Sequence, residues 1–342
     1  MFLKCTKTRL LLEICPVTDK QIYDVMANKT TPYVSVVMTS YNREKYIGQA
    51  IDSILAQECK FPFEIIIGDD CSTDNSRELL LSYKEKHPDI FVLNLHETNQ
   101  GFGANWASAC KLARGKYIAF CDDDDYWCEP THMQSLADYL DAHDGCGLVY
   151  ANRWVLDVAT DTKTLANSKL PDNKDKLDHM LHNGFPILFS ASMIRKSLMD
   201  QYVDLDAFIR LKFPIQDFPT AVLLAPHCDF HYMEQPTVVY RSYAGSMSKP
   251  KDYETIVRKY TQEKIMNEYL YGQLGLEYDG PGDDRYRYGI LLRLAFDKAD
   301  YRSAREFAKH VDPRNKKKYF ARTWLSFHLF RIARNLKNRL KK

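Results

Sequence analysis

The sequence predicts an α/β protein, a mainly parallel sheet flanked by helices, with a helical C-terminal extension. Three observations carry this. Short apolar, β-branched runs alternate with helix-period patterns from residue 33 to residue 120. Three of those runs end in polar or acidic turns. Beyond residue 249 only helical patterns remain. Parallel neighbours need a crossover, usually a helix, so the alternation implies parallel pairing with helices on both faces.

The elements follow in order. Residues 33–38 are apolar and β-branched and run into Thr39-Ser40-Tyr41-Asn42, which reads as a buried strand and a turn. Ile47, Ile51, Ile54 and Leu55 then share one helical face. Residues 63–67 form a second strand ending in Gly68-Asp69-Asp70-Cys71-Ser72-Thr73-Asp74. A helix over 75–86, a strand over 90–95, a helix over 102–113 and a strand over 117–120 complete the alternation. Residues 130–245 read as a continuation of the same domain, with short strands at 188–193 and 237–240 and a polar surface loop at 157–176. Helices are expected over 252–272, 284–297, 301–310 and 317–341. The organisation is therefore an extension (1–32), a main domain (33–250) and a helical region (251–342).

Composition narrows the class. A chain of 342 residues that is 45% hydrophobic can bury one sizeable core. The 47 basic and 45 acidic residues leave a formal charge of only +2, so net charge gives no reason to expect a polyanion partner. Their distribution is uneven: residues 314–342 hold eleven Lys and Arg and no Asp or Glu. The nine cysteines are odd in number and show no Cys-x-x-Cys spacing, which fits a reducing, cytoplasmic compartment. Lys4, Lys7, Arg9 and Glu13 interrupt the early leucines, so the start does not read as a signal peptide, and no apolar run is long enough to span a bilayer.

Asp122-Asp123-Asp124-Asp125 follows a buried strand and precedes Tyr126-Trp127. Four adjacent carboxylates repel one another, more strongly as the local dielectric falls, so their placement at a strand end calls for a cation. Oxygen-only ligands suit Mg²⁺ or Mn²⁺, which bind one or two carboxylates together with substrate phosphates. A solvated acidic turn is the plainer alternative. Near the second strand, Asp70 could accept from a nucleobase ring N–H, while Asp74 suits a helix cap. Thr39 and Tyr41 could bond and stack on a base, although polar turns after strands are common. Ligands of open parallel sheets bind beyond the carboxyl ends of the strands, where all three groups lie.

Five ordered segments make a resemblance specific. Val34-Ser-Val-Val-Met-Thr-Ser-Tyr-Asn42, Ile67-Gly-Asp-Asp-Cys-Ser-Thr-Asp74, Asn99-Gln-Gly101 with Asn105, Ala113-Arg-Gly-Lys-Tyr-Ile-Ala-Phe-Cys-Asp-Asp-Asp-Asp-Tyr-Trp127 and Gln216-Asp217 resemble, in order and spacing, the family 2 glycosyltransferases over residues 33–245. The resemblance implies the GT-A fold, a Rossmann-like mainly parallel sheet, with a nucleotide-sugar donor and Mn²⁺ or Mg²⁺. It implies that Thr39, Tyr41 and Asp70 hold the nucleoside, that Asp122 serves the ribose or diphosphate side and the metal, and that Asp124 binds the metal. It makes Asp217 the general base of an inverting transfer; without it, Asp217 before the apolar run 221–224 would read as a helix cap. Arg241 resembles the arginine of a late segment that touches the donor diphosphate, with Ser246 beside it, but no histidine follows as it often does in the family. A structural strand-end role for Arg241 stays open.

The implied partners are a nucleotide-sugar donor, with UDP as the commonest nucleotide, and a glycan or lipid-linked acceptor of surface polysaccharide. In the tail, Leu325, Leu329, Ile332, Leu336 and Leu340 fall at helical spacing among basic residues, the pattern of a helix lying in an anionic membrane surface. A helix docked on its own domain is the alternative. The apolar stripe favours lipid over nucleic acid, so no nucleic-acid partner is expected, and the implied location is the inner face of the cell membrane. A nucleotidyltransferase would carry a Gly-rich phosphate loop near the first strand, which is absent. A nucleotide-sugar-binding scaffold or sensor would not need Asp122, Asp124 and Asp217 together.

Overall fold

The structure, a computed structural model, describes residues 31–166, 168–243, 253–278, 282–298 and 300–311. The first half follows the expected alternation: β1 (Val34–Ser40), α1 (Ile47–Leu55), β2 (Phe63–Asp69), α2 (Ser76–Lys86), β3 (Phe91–Leu95), α3 (Phe102–Cys110) and β4 (Tyr117–Phe120). The four strands pair in parallel in the spatial order β3-β2-β1-β4. After β3 the chain therefore crosses back over β1. Connections leave β1 and β4 in opposite directions, which opens a crevice at their carboxyl ends.

Both faces of these strands are buried, which is why they read as nearly continuous apolar runs. Alternation sorts their side chains into two layers. Val34, Val36, Met38, Ile65 and Ile67 pack on α1 and on α4 (His132–Ala142), against Ile47, Ile51, Leu136 and Leu140. Val37, Ile66, Ile118 and Phe120 face the other layer, with Trp106 and Cys110 of α3. Each such aliphatic side chain contributes about 1.5 to 3 kcal/mol by leaving water.

The second half continues the sheet through β5 (Tyr126–Trp127), β6 (Cys146–Asp157), β7 (Thr162–Leu165), α5 (Lys176–His182), β8 (Ser192–Arg195), α6 (Lys196–Tyr202), α7 (Leu205–Arg210), α8 (Asp217–Leu224) and β9 (Asp229–Ser242). The order beyond β4 is β8-β6-β9-β5, with β7 on β6. β8 is antiparallel to β4 and β6, while β6 and β9 pair in parallel over the longest ladder in the sheet. Parallel pairing thus dominates by length, as expected.

Three expectations need correction here. The polar stretch 157–176 is not all loop: β7 folds back on β6, pairing Trp154 with Leu165. The strand expected over 188–193 is a 3-10 turn at Phe189–Ala191 followed by β8. The short strand at 237–240 is the end of the 14-residue β9. Pairing with β6 decides the backbone state of β7, β8 and β9, as a local hairpin for β7 and across distant sequence for β8 and β9.

The helical region contains α9 (Tyr253–Gln273), α10 (Gly282–Asp297) and α11 (Tyr301–His310). α9 sends Met266 and Leu270 into the core beside Phe213, whose ring lies 5.5 Å from that of Tyr269. The expected boundary near 250, the residues 1–30, Ser246 and the basic tail lie outside the described residues. Among the described residues no helix is long and apolar enough to cross a membrane.

Candidate active site

The acidic quartet begins one residue after β4, at the crevice between β1 and β4. Strand β4 is short and buried, so its last residues deliver the four carboxylates into partly closed surroundings. Asp125 is fully buried and Asp123 is 8% exposed. The hydroxyl of Ser190 lies 2.9 Å from Asp122 Oδ2 and 2.7 Å from Asp125 Oδ2, and it accepts from the Asp122 N–H. Burial, then repulsion by Asp124, lifts Asp125 well above the usual carboxylate range. Burial, the Asp124 charge and the Asp217 charge likewise push Asp122 up to about 7. Burial and Asp124 raise Asp123.

Positive charge is supplied by three arginines. Arg43 Nε lies 3.5 Å from Asp123 and 3.8 Å from Asp124. Arg153 on β6 is buried in part and attracted to Asp125 and Asp217, with Nη1 donating to Ser168 Oγ and to the Pro186 carbonyl. Arg241 is 6% exposed and lies between the rings of Tyr46 and Tyr126, 5.0 and 4.7 Å from their centroids. Its guanidinium donates to the Asp124 carbonyl and to Gln49 Oε1 of α1, and its backbone N–H donates to Asp125 Oδ1. Tyr243 donates to Asp124 Oδ2 at 2.6 Å.

Across the crevice, the loops after β1 and β2 are zipped together. The Asn42 N–H donates to Ser72 Oγ, Asn42 Oδ1 accepts from the Thr73 N–H, the Arg43 N–H donates to Ser76 Oγ, and the Glu44 N–H donates to Asp74 Oδ2. Asp74 also accepts from the Ser76 N–H at the start of α2, the capping contact expected of it. Asn42 and Cys71 sit at φ 56° and 62°, and such strain persists only where surrounding contacts enforce it. Thr39 is buried, whereas Tyr41 is 44% exposed. Asp70 is 2% exposed and its two oxygens accept from the Gln100 and Gly101 N–H groups at 2.6 and 2.9 Å. The Asn99-Gln-Gly101 segment is thus a loop wrapped on a carboxylate. Asn105 donates to the Gly68 carbonyl, and a Cβ at Gly68 would fall 2.2 Å from its Oδ1, so a larger residue there would have to displace the Asn105 side chain.

Asp217 is the first residue of α8, with Gln216 at the cap position. Its Oδ1 accepts from the Phe218 N–H at 2.7 Å. Burial pushes it up to about 6, and its charge is felt by Asp122, which is 95 positions earlier in the chain. The sheet therefore brings Asp217 into the neighbourhood of the quartet.

The quartet suits a hard divalent cation by its chemistry. Its donors are oxygen only, they repel one another, and Mg²⁺ or Mn²⁺ takes one or two protein carboxylates with the rest from water and phosphate. Among the described residues no group of three or more His, Cys, Asp or Glu side chains is arranged to hold a metal ion.

Of the residues named from sequence, Arg241 contacts Asp124 and Asp125, the charge of Asp217 acts on Asp122, and Thr39, Tyr41 and Asp70 stand at the ends of β1 and β2. Sequence reasoning missed Ser190, Tyr243, Gln49, Arg43 and Arg153. Only Ser190 left a signal, as a hydroxyl inside the apolar run 187–194.

These features define a class: an α/β protein with a carboxylate-lined crevice at the switch point of its sheet. Residues 35–203 match the family model described as Glycosyl transferase family 2, so this part of the chain is a family 2 glycosyltransferase domain. An uncharacterized protein of Mycobacterium tuberculosis is 42% identical over 110 residues, which cover 32% of this chain and 32% of that protein. The chain thus matches about a third of that relative's length. The abequosyltransferase RfbV of Salmonella typhimurium is 25% identical over 281 residues, 77% of this chain and 78% of RfbV. Among solved structures, Staphylococcus aureus TarS 1-349 in complex with UDP-GlcNAc is similar at 18% identity, 82% coverage of each chain and a TM-score of 0.48.

Proposed function

We propose that this protein is an inverting glycosyltransferase that moves a sugar from a nucleotide diphosphate donor, with UDP favoured, to a hydroxyl of a glycan or lipid-linked glycan. The observation that carries the reading is the convergence of Asp217 with Asp122 from distant parts of the chain. The charge of Asp217, a carboxylate that burial raises to about 6, acts on Asp122, which supports a base working next to the acidic cluster.

Asp217 takes the proton of the acceptor hydroxyl as that oxygen attacks the anomeric carbon from the face opposite the leaving diphosphate. A value near 6 leaves the carboxylate ionised at neutral pH while keeping it more basic than an ordinary aspartate. Tyr41 stacks on the base, and Thr39 and the loop organised by Asp70 border the nucleoside. Asp122 and Asp124 would hold Mn²⁺ or Mg²⁺, which when bound stabilises the negative charge developing on the diphosphate. Arg241 supports this from beneath by fixing the Asp124 main chain. The relationship to an abequosyltransferase supports a role in assembling surface polysaccharide.

Asp217→Asn tests the reading. Transfer should fall by at least about a thousandfold while Mn²⁺-dependent nucleotide binding stays within a few-fold, because the amide keeps the shape and loses the base. Loss of nucleotide binding would instead make Asp217 structural. We further infer that the main domain ends near residue 250 and that the basic tail anchors the protein on the cytoplasmic membrane face. A chain lacking residues 314–342 should then no longer sediment with anionic vesicles, and undiminished sedimentation would remove the anchor from the account.

A further inference from the structure

We propose that Arg43 is the counter-cation of the unloaded carboxylate cluster, and that a divalent cation enters the crevice by displacing its guanidinium. The inference rests on the reading above and concerns how the cation site is kept before donor arrives.

Arginines that serve the fold of this protein are firmly engaged. Arg77 Nε meets Asp69 at 2.7 Å, and Arg114 meets Glu64 through Nε at 3.0 Å and Nη2 at 2.6 Å. Such short, forked contacts are what a guanidinium makes when it is committed to a carboxylate. Arg43 makes none. Its Nε stands 3.5 and 3.8 Å from Asp123 and Asp124 and is buried without a hydrogen-bond partner, and its Nη1 reaches the Tyr41 and Asn42 carbonyls only at 3.4 and 3.3 Å. The side chain is therefore held by the charge of the cluster and by little directional bonding.

Its backbone is the opposite case. The Arg43 N–H donates to Ser76 Oγ at 2.8 Å, between the bonded neighbours Asn42 and Glu44. The guanidinium can then leave while the loop that carries Tyr41 stays fixed. A cation on Asp122 and Asp124 and a guanidinium on Asp123 and Asp124 would share the Asp124 carboxylate and repel each other. Each weakens the other's hold, and by linkage the effect is reciprocal. Without Arg43, the unloaded chain would leave the cluster with fewer positive charges to offset it.

Mn²⁺ binding in the absence of nucleotide tests this, read from the electron paramagnetic resonance of the free aqua ion. Arg43→Gln should bind Mn²⁺ about tenfold more tightly than the wild-type chain, the change that corresponds to a charge interaction of one pK unit. Arg43→Lys, which keeps the charge, should stay near wild type. Arg43→Leu serves if the Gln variant melts early. Equal affinity within about twofold, weaker binding by the neutral variants, or no Mn²⁺ binding by any chain overturns the proposal. The transferase reading stands or falls separately on Asp217→Asn with donor present, which this measurement omits.

Discussion

Arg241 and Asp124 are joined through the main chain. The guanidinium of Arg241 donates to the Asp124 carbonyl, and its own N–H donates to the carboxylate of the next residue, Asp125. A residue on β9 thereby sets the path of the acidic turn after β4, and Gln49 of α1 completes the clamp. The arginine that resembles a phosphate ligand is, in this structure, 6% exposed and packed between two tyrosine rings.

Replacing this guanidinium should therefore act on stability and catalysis together. Arg241→Lys keeps the charge but cannot reproduce the fork or the stacking, and should cost about 1.5 to 3 kcal/mol of stability. Sugar transfer should drop as the Asp124 turn loosens. Denaturant unfolding alongside nucleotide titration checks this. A variant with wild-type stability and only weakened nucleotide binding would mean that Arg241 touches the donor directly.

Asp124 should couple nucleotide to metal. Asp124→Ala is expected to abolish the gain in nucleotide affinity that Mn²⁺ gives the wild-type chain, and to leave metal-free affinity unchanged or slightly higher because one negative charge is gone. Calorimetric titration with and without Mn²⁺ reads both. Unaltered metal dependence would remove Asp124 from the ligand set.

The raised carboxyls fix the sign of the pH dependence. Asp122 and Asp217 titrate in the fold at about 7 and about 6, above the ordinary 3.8, so the fold favours their protonated forms. Their contribution to stability is fully present below the unfolded value and is lost as pH rises from about 4 to about 7 in the metal-free chain. Thermal midpoints should show this loss, and Asp122→Asn should flatten it. Transfer needs Asp217 ionised, so kcat/KM should rise with pH through a limb near about 6. A rate that falls over that range would contradict the base assignment.

The early strands were readable because burial on both faces demands continuous β-branched runs, as in Val34 to Met38 and Ile65 to Ile67. The helices expected over 252–272, 284–297 and 301–310 were readable within a few residues because their patterns are long. β6 and β9 were hidden: their ladder joins residues about 85 apart with register shifts, and nothing local announces it. β7 pairs with β6 as a local hairpin, Leu165 opposite Trp154, and its mostly polar residues, with Thr162–Leu165 all exposed, hid it as a loop.

What the sequence determined alone is the set of strand ends and the chemistry they carry: Thr39 and Tyr41, Asp70, and the quartet at 122–125, because short-range pattern fixes where a buried strand stops. What only the tertiary structure decided is the company those groups keep. Ser190 shares its hydroxyl between Asp122 and Asp125, Arg241 fixes the Asp124 backbone, Arg43 faces Asp123, and the charge of Asp217 reaches Asp122. Those relations join elements far apart in the chain, and charge and proton position depend on distance and burial in space, which spacing along the sequence does not specify.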